Sequence, residues 1–263
     1  MKILLSLVIL TTLAFPLRII SSAPSITETI FALGGQKNLI AVSKYCNYPL
    51  EAKSLPSIGG HYDFSRELFI LKNPELVMLL KGNTSLKSFL KEQSIPYAEY
   101  DNESIHGLMN MITDIGERLN QGKAAKTLTA KLSQDIEHFK LKYKNSKPVK
   151  VLLIVEQVVK SNSLNAVYIL GQEDFYTPLL QALNMENVYD GKMKYPMISK
   201  EALIHYNPEV IIVLGEENIK AYEDIPIQAI KDKKLYFFED DYFKRPGPRF
   251  TKIMEFFSTV REI

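Results

Sequence analysis

His61, His106, His138 and His205 are the side chains best suited to hold a metal in this 263-residue chain, and they lie too far apart in sequence to offer ligand spacing. Surface or packing roles are expected for them, with His61 the exception worth following. Cys46 is the only cysteine, so an internal disulfide, a zinc knuckle and a redox pair are excluded, and a small, buried, apolar role is expected for it. No G-x-S-x-G elbow, phosphate-cradling Gly-Lys loop, G-x-G-x-x-G turn, H-E-x-x-H helix or calcium loop occurs. No catalytic residue, metal ligand or resident cofactor is assigned on these grounds.

The remaining chemistry is that of recognition. His61 lies in the loop Gly59-Gly60-His61-Tyr62-Asp63, six residues before Glu67, and Tyr195 lies six residues before Glu201. If the two loops face each other, His61 and Tyr195 flank a flat or bulky ligand, with Tyr62 beside them; stacking adds roughly 1 kcal/mol beyond area burial. Packing of Tyr195 down its own loop, ahead of Pro196, is the alternative. Tyr45 and Tyr48, in Lys44-Tyr45-Cys46-Asn47-Tyr48-Pro49, follow a strand at the edge where open α/β sheets take ligands. Core packing of one of them is the competing reading.

The elements that must position these residues alternate between short aliphatic strands and amphipathic helices, the pattern of α/β layers around mainly parallel sheets. Strands are predicted at 18–21, 39–42, 76–80 and 97–100, and helices at 27–33, 65–72, 85–93, 104–119 and 123–144. The last helix carries Leu128, Leu132, Ile136, Phe139 and Tyr143 on one stripe. At ~1.5 Å per residue it makes a rod of roughly 33 Å, long enough to bridge two lobes. A second alternation follows: strand 149–155, an apolar run at 167–170, helices 175–183 and 199–205, strands 210–214 and 235–238, and a closing helix 250–263, with Pro248 in its first turn. The resulting division is a signal peptide at 1–14, a first lobe at 15–122, a bridging helix at 123–145 and a second lobe at 146–263, with a ligand cleft between the lobes.

An internal repeat supports two duplicated lobes. Phe64 to Val77 overlays Ile198 to Ile211, with Ser65/Ser199, Glu67/Glu201, Ile70/Ile204, Asn73/Asn207, Pro74/Pro208 and Glu75/Glu209 in register. In each copy Ser stands at an N-cap, Glu in the first helical turn, and Asn-Pro stops the helix before a buried strand. A weaker echo pairs Ala32-Leu33-Gly34 with Ala182-Leu183-Asn184, each a helix end with a residue that tolerates the left-handed conformation.

Four segments in order, Ala23 to Gly34, Tyr45 to Pro49, Gly59 to Val77 and Asp241 to Arg249, resemble the periplasmic binding proteins of cobalamin and iron-siderophore ABC importers, most closely the cobalamin-binding branch. The resemblance spans nearly the whole chain beyond the amino-terminal segment. It implies a non-enzymatic, monomeric receptor with two lobes and a stiff helix between them. A corrinoid would sit in the cleft, and an inner-membrane permease would dock on both lobes. Glu67 and Glu201 fall where the family presents carboxylates to permease arginines. Asp241 and Arg245 fall where cobalamin-binding relatives meet the carboxamide-bearing edge of the corrin ring. Where those relatives carry tryptophans this chain has His61, Tyr195 and Leu80, and it contains no tryptophan. A ferric siderophore or haem is the alternative ligand, and an exported metal-dependent hydrolase the alternative class.

Composition agrees with a folded, exported protein. Apolar residues at 46% and charged residues at 24% fit neither a disordered chain nor a multi-span membrane protein. A net charge of +2 spread along the chain leaves no footprint for nucleic acid. Met1-Lys2, the apolar run Ile3 to Ala14 and Thr12-Leu13-Ala14 read as a cleavable secretory signal, too short to span a membrane and without a lipobox cysteine. A free periplasmic protein is expected.

Overall fold

Alternate residues along each strand turn to opposite faces of a sheet, and this period-two rule sorts the apolar side chains of the protein into three cores. The computed structural model describes residues 16–172 and 174–263; the expected signal at 1–14 lies outside them. The chain runs through β1 (Ile19–Ser21), α1 (Pro24–Ala32), β2 (Leu39–Val42), α2 (Arg66–Lys72), β3 (Leu76–Leu80), α3 (Thr84–Glu92), β4 (Tyr97–Tyr100) and α4 (Ile105–Arg118). Its four strands form a wholly parallel sheet in the order β2-β1-β3-β4. Next comes α5 (Gly122–Tyr143), and then β5 (Val149–Lys160), β6 (Ser163–Ile169), α6 (Thr177–Ala182), β7 (Met185–Asn187) and β8 (Met197–Ser199). The chain closes with α7 (Lys200–Tyr206), β9 (Val210–Val213), α8 (Gln228–Lys231), β10 (Leu235–Phe237) and α9 (Phe250–Glu262).

The second sheet has the order β10-β9-β5-β6-β8, with β7 also on β5. It is mixed: β5 pairs parallel with β9 and β7 but antiparallel with β6, and β6 pairs antiparallel with β8. Ile19 and Met78 of the first sheet, and Val151, Leu153 and Ile212 of the second, enter one continuous core. Their neighbours turn the other way. Ile20, Val77 and Leu79 build a core on the far face of the first sheet, and Leu152, Ile154 and Ile211 one on the far face of the second.

The shared core is carried across by α5, which packs on α4 in the first half and on α6 and α9 in the second. Leu132, Phe139 and Tyr143 of its stripe are buried and Leu128 and Ile136 partly so, as the spacing predicts. The approach to α4 is close: a Cβ at Gly116 would stand 2.4 Å from Ala125 Cβ, so only glycine admits it.

The repeat is reproduced bond for bond. Ser65 Oγ accepts from Leu68 N at 3.2 Å and Ser199 Oγ from Ala202 N at 3.3 Å, capping α2 and α7. Both helices end on an asparagine at φ 42°. Glu75 Oε2 then accepts from Arg18 N at 2.8 Å, just before β1, and Glu209 Oε2 from Lys150 N at 3.0 Å in β5. Each carboxylate sets the same parallel register, Ile19 beside Leu76 and Val151 beside Val210.

Several bounds differ from expectation. β5 runs to Lys160 and returns as β6 through Ser161 and Asn162, at φ 50° and 62°. That is a two-residue turn of the type that matches strand twist, built here without the glycine that usually marks it. The α1 helix starts at Pro24 rather than residue 27, because proline suits a first helical turn. Pro248, by contrast, precedes α9, whose first residue is Phe250. Cys46 is buried as expected, accepts from Thr27 Oγ1 at 3.1 Å, and has its thiol pKa pushed up by burial to about 11.

Because the two serine caps are equivalent, Ser65→Ala and Ser199→Ala should each cost about 1 kcal/mol. Urea denaturation of the single and double variants is expected to show similar losses that add, since the helices lie in separate halves.

Candidate ligand cleft

A cavity of about 440 Å³ lies between the halves, at the carboxyl ends of their strands. Pro24 and Ser25 reach it from the first turn of α1, Leu80 from the end of β3, and Asn102 and Glu103 from the turn after β4. Opposite them stand Val155 of β5, Leu214 after β9, and the rings of Phe175, Tyr176 and Tyr195. Open α/β sheets place ligands at this edge, and here two sheets turn it toward the same hollow. The walls are mostly apolar, with Lys194, Lys244 and Arg245 as the cations and Glu103 as the carboxylate.

Polar contacts stitch the margin from half to half. Asn102 Nδ2 donates to Pro246 O at 2.8 Å and to Ser25 Oγ at 3.2 Å. Lys194 Nζ meets Glu103 Oε2 at 2.6 Å. Arg245 donates from Nη1 to Asn47 Oδ1 at 2.7 Å and pairs through Nη2 with Asp241 Oδ2 at 2.9 Å. Asn47 Nδ2 donates to the same Asp241 oxygen at 2.8 Å. Asp241 opens a single 3-10 turn at 241–244 and Arg245 follows it, so the two are brought together without a regular helix.

Behind the cleft sits a buried ion pair that sequence reasoning did not single out. Arg249 Nε and Nη2 donate to the two oxygens of Glu28, at 2.7 and 2.5 Å, with side chains only 16% and 3% exposed. The guanidinium lies 3.9 Å from the centre of the Tyr48 ring and 5.1 Å from that of Tyr242. Such a fork between planar groups needs arginine rather than lysine. The pair joins α1 of the first half to the residue capping α9 of the second. The available signal was a lone carboxylate inside α1, where residues 25 to 30 are all buried.

The expected site residues are only partly gathered. Tyr195, Arg245 and Leu80 line the cavity, and Asp241 adjoins it through Arg245. Tyr48 lines a second hollow of about 460 Å³ with Glu28, Phe31, Leu128 and Arg249. Tyr45 lies under the Lys44 ammonium, 5.3 Å from its ring centre. The His61 ring packs edge-on against Tyr62 at 4.6 Å, and Tyr62 is 88% exposed. Neither Tyr45, His61 nor Tyr62 forms part of the cavity wall, so the ring opposite Tyr195 is not His61.

Phe175 and Tyr176 supply the rings that the sequence did not assign to the cleft. They were expected inside a helix but precede α6, in a turn where Asp174 Oδ1 accepts from Tyr176 N at 2.6 Å and Thr177 N at 2.7 Å. Tyr176 stacks on Phe243 at 5.3 Å and donates its hydroxyl to Phe243 O. Burial pushes the Asp174 carboxyl above its usual range, against the pull of the two amides. Among the described residues its buried Oδ2 meets no hydrogen-bond partner.

Glu67 and Glu201 are exposed in the first turns of α2 and α7, and the Ser199 hydroxyl holds Glu201 below the usual carboxylate range. Ile70 and Leu71, one turn beyond Glu67, are exposed as well. Among the described residues no cluster of three His, Cys, Asp or Glu side chains could hold a metal, and no helix is long and apolar enough to cross a membrane.

The periplasmic binding protein family model matches residues 19–236. The chain belongs to that family. As a periplasmic binding protein it is 25% identical, over 240 residues, to the vitamin B12-binding protein of Photorhabdus laumondii, covering 90% of this chain and 84% of the relative. Two solved structures share the fold. The periplasmic vitamin B12 binding protein BtuF of Vibrio cholerae superposes with a TM-score of 0.78 at 20% identity, over 94% of this chain and 97% of the other. The periplasmic haem-binding protein HutB of the same species gives 0.79 at 20%, over 93% and 98%. At that identity the two structures establish the architecture alone. The family is one of periplasmic binding proteins, which places the chain among binding proteins that work outside the cytoplasm.

Removing one member of the Glu28–Arg249 pair leaves a buried charge uncompensated. Glu28→Ala should therefore lose about 3–5 kcal/mol of stability, while the double variant Glu28→Met, Arg249→Leu should recover most of it. Chemical denaturation of the three proteins checks both outcomes.

Proposed function

We propose that this periplasmic binding protein captures a corrinoid in the cleft between its halves and delivers it to an ABC importer. The observation that carries the reading is the cavity itself, a ring-lined hollow with a guanidinium and a carboxylate at its edge. Tyr195 offers an exposed ring to a large flat ligand, and the buried Phe175 and Tyr176 form the apolar wall beneath it. Arg245 spends part of its fork on Asn47 and Asp241 and keeps further N–H groups for carboxamide oxygens, while Asp241 accepts from carboxamide nitrogens. The names of curated relatives such as the vitamin B12-binding protein of Photorhabdus laumondii support the same ligand. In this reading the protein is exported by a cleavable signal, acts as a free monomer and needs no resident cofactor.

A second ligand, haem or a ferric siderophore, is favoured by one feature. The cleft wall holds three cations against one carboxylate, which suits a chelate bearing acidic groups. Calorimetric titration with cyanocobalamin and cobinamide is expected to give one-to-one binding at micromolar ligand. Absence of any corrinoid binding, with binding of haem or a ferric siderophore, would transfer the reading to the second ligand.

Delivery requires docking, and the repeated carboxylates Glu67 and Glu201 suit a partner with two related subunits that each present an arginine. The double variant Glu67→Lys, Glu201→Lys is expected to bind ligand as the parent does but to abolish uptake in cells carrying the importer. Normal uptake by that variant would show that the two glutamates serve only their helix termini.

A further inference from the structure

We propose that Lys194 is a specificity-determining residue of the cleft, holding an anionic oxygen group on the rim of the ligand, and that Glu103 occupies its ammonium until such a ligand arrives. The inference rests on the receptor reading given above. Lys194 and Glu103 come from opposite halves and face each other across the cavity wall at 2.6 Å. Their surroundings are unequal: the Lys194 side chain is 34% exposed and that of Glu103 is 71% exposed. The ammonium is held over the Tyr195 ring, 5.7 Å from its centre, whereas the carboxylate projects largely into solvent. The cation is thus the fixed member and the carboxylate the exchangeable one.

The other two cations are differently placed. Arg245 already meets Asp241 and Asn47, so much of its charge is answered within the protein. Lys244 is exposed at the rim. Burial works against the charged form of Lys194, but the hydrogen bond and charge of Glu103, with a smaller contribution from the nearby Asp174 carboxylate, hold the ammonium above its usual range. An exposed carboxylate contributes little in such a pair. A carboxylate carried on a ligand that also fills the ring-lined hollow therefore displaces Glu103. The group required is a carboxylate side chain on a flat metal chelate.

The test compares ligands that differ only in that charge, by calorimetry on the full mature chain. The pairs are cyanocobalamin against its monocarboxylic acids, in which one side-chain amide is hydrolysed, and haemin against haemin dimethyl ester. Within at least one pair the acid is expected to bind about tenfold more tightly than its neutral counterpart. Lys194→Ala should bring that ratio close to one, Lys194→Arg should restore it, and Glu103→Gln should raise affinity for the acid several-fold. Equal affinity for acid and neutral forms, or a preference that survives Lys194→Ala, overturns this inference and leaves the receptor reading standing. No binding of any of these ligands overturns both. The pair that shows the preference identifies the ring system.

Discussion

One uninterrupted apolar core, passing from the first sheet to the second across α5, is the constraint on which the rest of the structure depends. Ile19 and Met78 share it with Val151 and Ile212, so the halves cannot separate without exposing side chains from both. Interiors packed in this way resist continuous deformation. The cleft is therefore the space left on the open side of a rigid joint. It is closed at its back by the α1 and α9 ends and tied there by Glu28 and Arg249. A buried ion pair adds little net stability over apolar residues of similar volume, but its forked geometry admits few alternatives and fixes where Tyr48 and Tyr242 stand.

Duplication explains why both sheets point the same edge at the ligand space. In each half the same short sequence caps a helix with serine, turns on a left-handed asparagine, and pins the next strand with a glutamate on the neighbouring strand's backbone. These are local bonds, formed by residues close in sequence or on adjacent strands. Each half therefore reproduces its strand order independently, and the facing of the two edges follows from how α5 joins them. The second half then departs from its twin by adding the β5–β6 hairpin and β8, which turn a parallel sheet into a mixed one.

Those local bonds are also what made the fold legible in the amino-acid sequence. Bounds of β2, β3 and β4 match expectation to the residue, and the α5 stripe faces where its spacing said it would. The hairpin escaped because Ser161-Asn162 lacks glycine although both residues are left-handed. The site was less legible, since its contacts are distant in the chain. Glu103 and Lys194 are 91 residues apart, and Asn47 and Arg245 are 198 apart. Of the two rings that the repeat spacing singled out, Tyr195 lines the cavity and His61 does not. The 59–63 loop folds on itself through Gly60 N to Asp63 Oδ1 at 3.1 Å and Lys44 to Asp63 at 2.6 Å. Phe175 and Tyr176 were hidden because the helical pattern runs through them, whereas they sit in a turn held by Asp174 ahead of α6.

The α2 and α7 helices share a backbone plan but not a surface. Beyond Glu67 the first offers bare Ile70 and Leu71, whereas the matching positions of the second are a half-covered Ile204 and an exposed His205. A partner assembled from two identical subunits and grasping both helices would lose its own symmetry on contact. One subunit would rest against a greasy patch and the other against an imidazole.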